Sequence, residues 1–462
     1  LEALLRESGL LVSSSAPIHR QKAIQGVVIN PADIRGGELF IGLSVNEVNG
    51  GNSAGDAFER GAALCLIDQA AVEFLSFEVL EGCVVVVDTI KALWKLAQWW
   101  IAGLGLPIVA IAGVTGKTTV KELLAGILVG EGAGFYSQRS ENDHIGVPLA
   151  LCRAAFHHKW GVVEVGTNAP GEIARFSSLF AAKVGLITCI DEPSSDLLTS
   201  RDVVGQEMLD IVKMLKSGGV LIVDGDDDDL YNEAQKVVQP FALTLKSFGH
   251  QKNSEQRSVF ENDITIKSVI SYGLAGIDVT LCSGKRGDPG ILWEDTFQLY
   301  LPGAHYGKNV AAALAAALEL FPNLKLDGVN RRLARIRPGL VGIQMILTSA
   351  GVRILSDCSN SSRKSIDAFL DIAQYEVCSG KRVVLFVGDM PDLRNLQLER
   401  HKEVFSCARA LGALKVIFLG DGFGVPFSEY KNQLQQGSHL ESVEWFGHIE
   451  QLLGVLNSVV TG

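Results

Sequence analysis

The chain has 462 residues, of which 47% are hydrophobic and 20% charged, a globular composition with room for about three domains. Its net charge of −11, with no local cluster of Lys and Arg to offset it, argues against a nucleic-acid footprint. Eight cysteines are scattered without a C-x-x-C pair, so neither a zinc site nor a disulfide framework is indicated, and no apolar run is long enough to span a bilayer. Cysteines inside apolar runs fit a reducing compartment, read as the cytoplasm, or the plastid stroma for a processed organelle form. The start at Leu1 rather than Met reads as a processed or trimmed product.

In chain order, residues 1–105 read as a small α/β domain. Gly36 to Leu43 gives a turn and a strand, Ala54 to Ala63 a helix, Ala63 to Ile67 and Cys83 to Val87 two further strands. The helix from Ile90 to Ile101 carries Trp94, Trp99 and Trp100, which the spacing assigns to core or interdomain packing.

Residues 106–337 read as a central domain with a parallel sheet, because strands at 108–112, 160–165, 184–188 and 219–223 alternate with helices. The first of these strands is the most informative segment. Ile108 to Ala112 is short, unalternating and branched, as a buried parallel strand is. It breaks at Gly113, and Gly116-Lys117-Thr118-Thr119 opens a segment with helical spacing at Val120, Leu123 and Leu124. A strand, a tight turn and a helix start aim backbone N–H groups at one point, where the helix dipole favours an anion. Lys117 would supply charge to the β/γ-phosphates, the Thr118 hydroxyl a magnesium ligand, and Gly113, Thr115, Gly116 and Thr119 the rest of the loop. The spacing predicts binding of a nucleoside triphosphate together with magnesium. The glycine usual five residues before Gly116 is replaced by Ile111, leaving a shorter G-x-x-G-K-T-T loop. The acidic run Asp224 to Asp229 reads as a solvated loop, and Asn309 to Leu320 as an alanine-rich helix.

Residues 338–462 read as a third, Rossmann-like domain, with strands at 352–355, 383–387 and 416–419, helices at 365–374 and 398–411, and no G-x-G-x-x-G.

Taken together, the motifs resemble the Mur ligase family, and within it the MurF type, over nearly the whole chain. Gly113 to Thr119 resembles that family's nucleotide loop. Asn142-Asp143-His144-Ile145-Gly146-Val147-Pro148 resembles its N-N-x-I-G-x-P segment, and Glu164-Val165-Gly166-Thr167-Asn168 with Gly171-Glu172-Ile173 its E-x-G-x-N and G-E-I run. Gly303-Ala304-His305 with Asn309 resembles G-x-H-x-x-x-N, Asp357-Cys358-Ser359-Asn360 stands where D-S-Y-N occurs, and Gly388-Asp389-Met390 where G-D-M occurs.

The resemblance implies ATP-dependent amide-bond formation through an acyl phosphate, with D-alanyl-D-alanine added to a UDP-muramoyl tripeptide in peptidoglycan biosynthesis. It implies Lys117 and Glu164 as catalytic, Thr118 and Glu164 as magnesium ligands, His305 and Asn309 facing adenine, and Asp357 the ribose. A capping or surface carboxylate at 164 and a structural histidine at 305 remain open alternatives.

Four positions depart from the family pattern. Asn30-Pro31-Ala32 stands in place of a D-[ST]-R that contacts the uridine nucleotide. Ser194 replaces a histidine near magnesium, Met208 a lysine that becomes carbamylated and supports a second magnesium, and Ile343 a phosphate-binding arginine. Two functions therefore stay open: a MurF-like ligase, or a catalytically degenerate homologue kept for ATP binding or as a structural partner in an assembly. An unrelated P-loop ATPase or kinase fails on the 142–148 and 163–173 segments.

Overall fold

A computed structural model describes residues 1–14, 23–45, 48–191, 197–251, 262–284, 290–339, 343–349, 351–357, 363–390, 397–434 and 443–454. The chain is mixed α/β and separates into two compact units, one of 1–191, 200–246 and 316–324, the other of 192–199, 247–315 and 325–462.

In the first unit the N-terminal residues build a five-stranded sheet from Leu11–Ser14, Cys83–Val86, Leu64–Asp68, Leu39–Ile41 and Val27–Val28, in that spatial order. All neighbours run parallel except Leu11–Ser14, which lies antiparallel to Cys83–Val86 at the edge. The expected Trp-bearing helix forms as Thr89–Leu104, capped by the Asp88 side chain at its start and by Gly105 in the left-handed region (φ 60°) at its end. Two of its tryptophans anchor it: Trp94 Nε1 donates to His144 O at 2.6 Å and Trp100 Nε1 to Ala154 O at 2.7 Å. Trp99 departs from the packing expectation, being 55% exposed.

The same unit holds a parallel sheet whose spatial order is Gly134–Tyr136, Trp160–Glu164, Ile108–Ala112, Ala182–Ile187 and Leu215–Asp224. Every residue of Ile108–Ala112 is buried, which explains its unbroken apolar run. This strand comes first in sequence yet lies in the middle, between strands that leave it in opposite directions. The carboxyl ends of Ile108–Ala112 and its neighbour Trp160–Glu164 therefore flank the topological switch point, where α/β sheets bind ligands. Asp227, from the acidic run, accepts from Leu230 N at 3.1 Å and caps the helix Asp228–Val238, so it serves the fold as well as solvation.

The second unit contains an antiparallel meander, Ile264–Ser271, Ile277–Gly284 and Ile291–Leu299, followed by residues 306–315 of the helix Tyr306–Leu320. Beyond it, Val384–Gly388, Lys415–Leu419 and Val443–Phe446 form a three-stranded parallel sheet around a core including Leu385, Val404, Phe405, Phe418 and Phe423. The expected strand near 352 forms as Arg353–Ser356, but it pairs antiparallel with Gln344–Leu347 in a two-stranded hairpin and not with the parallel strands.

Candidate functional site

The Gly113–Thr119 loop joins the buried Ile108–Ala112 strand to the helix Lys117–Leu128. Gly113 has φ 136°, and a Cβ there would meet Thr188 Oγ1 at 2.1 Å, so only glycine admits this approach of the neighbouring strand end. Thr188 Oγ1 in turn donates to Thr115 O at 2.6 Å and Ala112 O at 3.3 Å, pinning the loop from below. The Thr115 hydroxyl pairs with Cys189 Sγ at 3.1 Å. Gly116, at φ 82°, is the N-cap of the helix, leaving the first N–H groups of the helix without a side-chain cap. Thr119 lies in that first turn.

Lys117 curls back over the loop, its Nζ donating to Gly113 O at 2.7 Å and Val114 O at 3.2 Å. Loss of hydration lowers its pKa, against the upward pull of the Glu164 charge. Thr118 Oγ1 lies 3.2 and 3.1 Å from the two carboxylate oxygens of Glu164 and donates to them. The register explains the pairing: Glu164 ends its strand opposite Ile111, two residues short of Gly113.

Glu164 is 1% exposed, and its surroundings are built to hold a charge. Asn142 Nδ2 donates to Glu164 Oε1 at 2.8 Å, while the Ser137 hydroxyl accepts from Glu164 N at 3.0 Å. Gly166 makes room for Asn142, since a Cβ there would sit 2.9 Å from the carboxamide. Asn142 belongs to the 142–148 motif, and this contact gives it a role that the motif alone did not assign.

Lys121 was legible only as a position on the helix beyond the loop. Its side chain is fully buried, with Nζ donating to Arg139 O at 2.6 Å and lying 3.2 Å from Glu122 and 3.7 Å from Glu164 Oε2. The signal was available, because Lys117 and Lys121 are one helical turn apart and share a face.

Thr118 and Glu164 offer one hydroxyl and one carboxylate. Among the described residues no group of three or more His, Cys, Asp or Glu could hold a metal. This donor set fits Mg2+, which takes few protein oxygens and completes its shell with phosphate and water, and does not fit a soft metal.

In the second unit, Gly303 has φ 120°, and a Cβ on it would lie 2.5 Å from His305 Cε1. His305 is an exposed residue whose ring packs 4.3 Å from the Tyr306 ring, and desolvation of the ring pulls its pKa down to about 4. Lowered from the usual 6.5, it is neutral at pH 7. Burial raises the Tyr306 phenol, and the Asp357 charge raises it further, which makes His305, Tyr306 and Asp357 a local group. Asn309 is half-buried on the Tyr306–Leu320 helix. Cys358, Ser359 and Asn360 lie outside the described residues.

Comparison with known proteins bears on this arrangement. Residues 111–317 match the Mur ligase middle domain. The UDP-N-acetylmuramoyl-tripeptide–D-alanyl-D-alanine ligase of Bacillus subtilis is 28% identical over 387 residues, covering 84% of this chain and 78% of the relative. The Escherichia coli ligase of the same name is 28% identical, covering 86% and 81%. MurF from Acinetobacter baumannii superposes with a TM-score of 0.72 at 19% identity, covering 96% of this chain and 94% of that one. MurF from Thermotoga maritima, solved in complex with ADP, gives 0.70 at 18% identity, covering 96% and 99%.

The middle of the chain matches the Mur ligase family, and the chain as a whole is similar to the MurF ligases and shares their fold.

Against the Mur ligase pattern, three of the four departures can be located. Met208 is 4% exposed in the helix Arg201–Leu209, and its neighbour Glu207 is also buried, accepting from Gly171 N at 2.5 Å and Ile173 N at 2.8 Å. Ile343 is 5% exposed, with its carbonyl accepting from Gly339 N. Asn30 accepts from Ala32 N at 3.0 Å and so starts a short 3-10 turn at Pro31–Asp33. Ser194 lies outside the described residues. No described helix is long and apolar enough to cross a membrane.

Proposed function

We propose that this chain is an ATP-dependent ligase of the MurF type, joining a carboxylate to an amine through an acyl phosphate. The observation that carries the reading is the Thr118 hydroxyl held 3.1–3.2 Å from the Glu164 carboxylate beside the Gly113–Thr119 loop. In this reading the loop N–H groups and Lys117 bind the ATP phosphates, Lys117 by leaving the Gly113 and Val114 carbonyls for the more negative ligand. Thr118 and Glu164 would hold Mg2+, which supplies charge stabilisation on the phosphates. His305 and Asn309 are assigned to adenine and Asp357 to the ribose, with His305 neutral. The division into domains at 1–105, 106–337 and 338–462 belongs to the same reading.

A carboxylate oxygen of the first substrate attacks the γ-phosphorus, the bond to the β-bridging oxygen breaks, and ADP leaves. The incoming amine attacks the acyl carbon, phosphate leaves with the C–O bond electrons, and the amine loses a proton. The names of the relatives support a UDP-muramoyl tripeptide and D-alanyl-D-alanine as substrates. Protein work is positioning and electrostatics, each contact worth about 10²–10³ in rate.

A second reading, ATP binding without ligation, is favoured by Met208. A buried thioether cannot be carbamylated and is a poor magnesium ligand, so a second magnesium would lack its carboxylate there. Phosphate release with ATP, UDP-muramoyl tripeptide and D-alanyl-D-alanine separates the two. The ligase reading expects dipeptide-dependent release, slower than an authentic MurF by about 10²–10³. Release that ignores the dipeptide, or none despite ATP binding, would overturn it.

A further inference from the structure

Among the ionisable side chains at the loop, Lys117 and Lys121 are basic and Glu122 and Glu164 acidic, burial raising the Glu122 pKa and lowering that of Lys117. Lys121 is the one that cannot turn outward. Its ammonium is fully buried and anchored at three points, Arg139 O at 2.6 Å, Glu122 at 3.2 Å and Glu164 at 3.7 Å. Releasing it would leave a buried cation unpaired, among the costlier defects in a protein interior. Arg139 is held with φ 50°, a left-handed conformation unusual outside glycine, in the loop that also carries Asn142 to Glu164. Lys117 differs, since its bonds are to two loop carbonyls.

We propose that Lys121 is a fixed counter-cation that makes divalent-metal binding at Glu164 conditional on the nucleotide. The inference rests on the reading of Thr118 and Glu164 as metal ligands. A bare Mg2+ approaching Glu164 meets an immovable ammonium beside the carboxylate. A nucleotide changes this: its phosphates engage Lys117, and they bring negative charge to the metal. Lys121 thereby acts as a selectivity residue, touching Glu164 and not the substrate. It also keeps Glu164 and the 137–142 loop in place before the metal arrives.

Mn2+ serves as the probe, with unbound Mn2+ followed by electron paramagnetic resonance on the full chain, with and without a non-hydrolysable ATP analogue. Lys121→Gln keeps a donor for Arg139 O and removes the charge. It is expected to bind Mn2+ without nucleotide about tenfold tighter than wild type or better, while Lys121→Arg stays within about threefold. A folded Lys121→Gln, judged by a cooperative melt, that binds bare Mn2+ no tighter than wild type would overturn the proposal. Should that variant not fold, wild type decides alone: bare Mn2+ bound as tightly as in the presence of the analogue would overturn it, and tight binding only with the analogue supports it. Wild type that binds the analogue but no Mn2+ under either condition would overturn the Thr118–Glu164 metal reading itself.

Discussion

Glu164 and Glu207 are both buried carboxylates in the same unit, 1% and 4% exposed, yet their partners differ in kind. Glu164 faces side chains: the Thr118 hydroxyl, the Asn142 amide and the Lys121 ammonium. The Thr118 and Asn142 donors can turn or share when another cation arrives, while the Lys121 ammonium stays fixed. Glu207 accepts from two backbone N–H groups, Gly171 and Ile173, which cannot turn away without unwinding the Glu172–Arg175 turn of helix. Burial alone therefore does not mark a reactive carboxylate; the exchangeability of its partners does. By this measure Glu164 has the exchangeable partners that the proposed metal position requires, while Glu207 is held in a structural role.

The largest effect should follow from removing the structural carboxylate. Glu207→Ala leaves one buried and one partly buried N–H group unpaired and is expected to lower the unfolding free energy by about 2–5 kcal/mol in urea titration. A loss below about 0.5 kcal/mol would break the contrast. Next, Lys117→Ala should weaken Mg-ATP about 100-fold in calorimetry, near 2.7 kcal/mol, with little change in stability. Lys121→Ala is no neutral control for this test, because Lys121 touches Glu164.

Much of this was legible in the sequence for identifiable reasons. The Ile108–Ala112 strand, the loop and the helix announced themselves because a buried parallel strand is uniformly apolar and the glycines mark positive φ. Glu164 followed from its motif at a strand end. The short strand Gly134–Tyr136 was missed because three residues give no periodicity, although it sets the edge beside Trp160–Glu164. Lys121 was not singled out, since sequence shows charge but not which face is buried. The role of Glu207 was hidden because its partners lie 36 and 34 residues away.

A smaller effect sharpens the account of Met208. Met208→Leu keeps the volume and should cost less than about 1.5 kcal/mol, leaving Mg-ATP affinity unchanged. A tenfold loss of affinity would place the thioether in the site. The smallest expected effect concerns pH. His305 is depressed from 6.5 to about 4, so on acidification the unfolded chain takes up a proton before the native one does. Its contribution is fully present above about 6.5 and is lost as pH falls toward 4. His305→Gln should flatten the stability profile in that window; an unchanged slope would show that the ring titrates alike in the native and unfolded chains.

The most direct test of the contrast is a paired measurement on Glu164→Gln and Glu207→Gln, recording melting temperature and the strengthening of ATP-analogue binding by Mg2+. The account predicts that Glu164→Gln melts within about 5 °C of wild type but loses the Mg2+ effect, whereas Glu207→Gln melts lower and keeps it. Retention of the Mg2+ effect in Glu164→Gln, or its loss in a folded Glu207→Gln, would contradict the assignment of the two carboxylates.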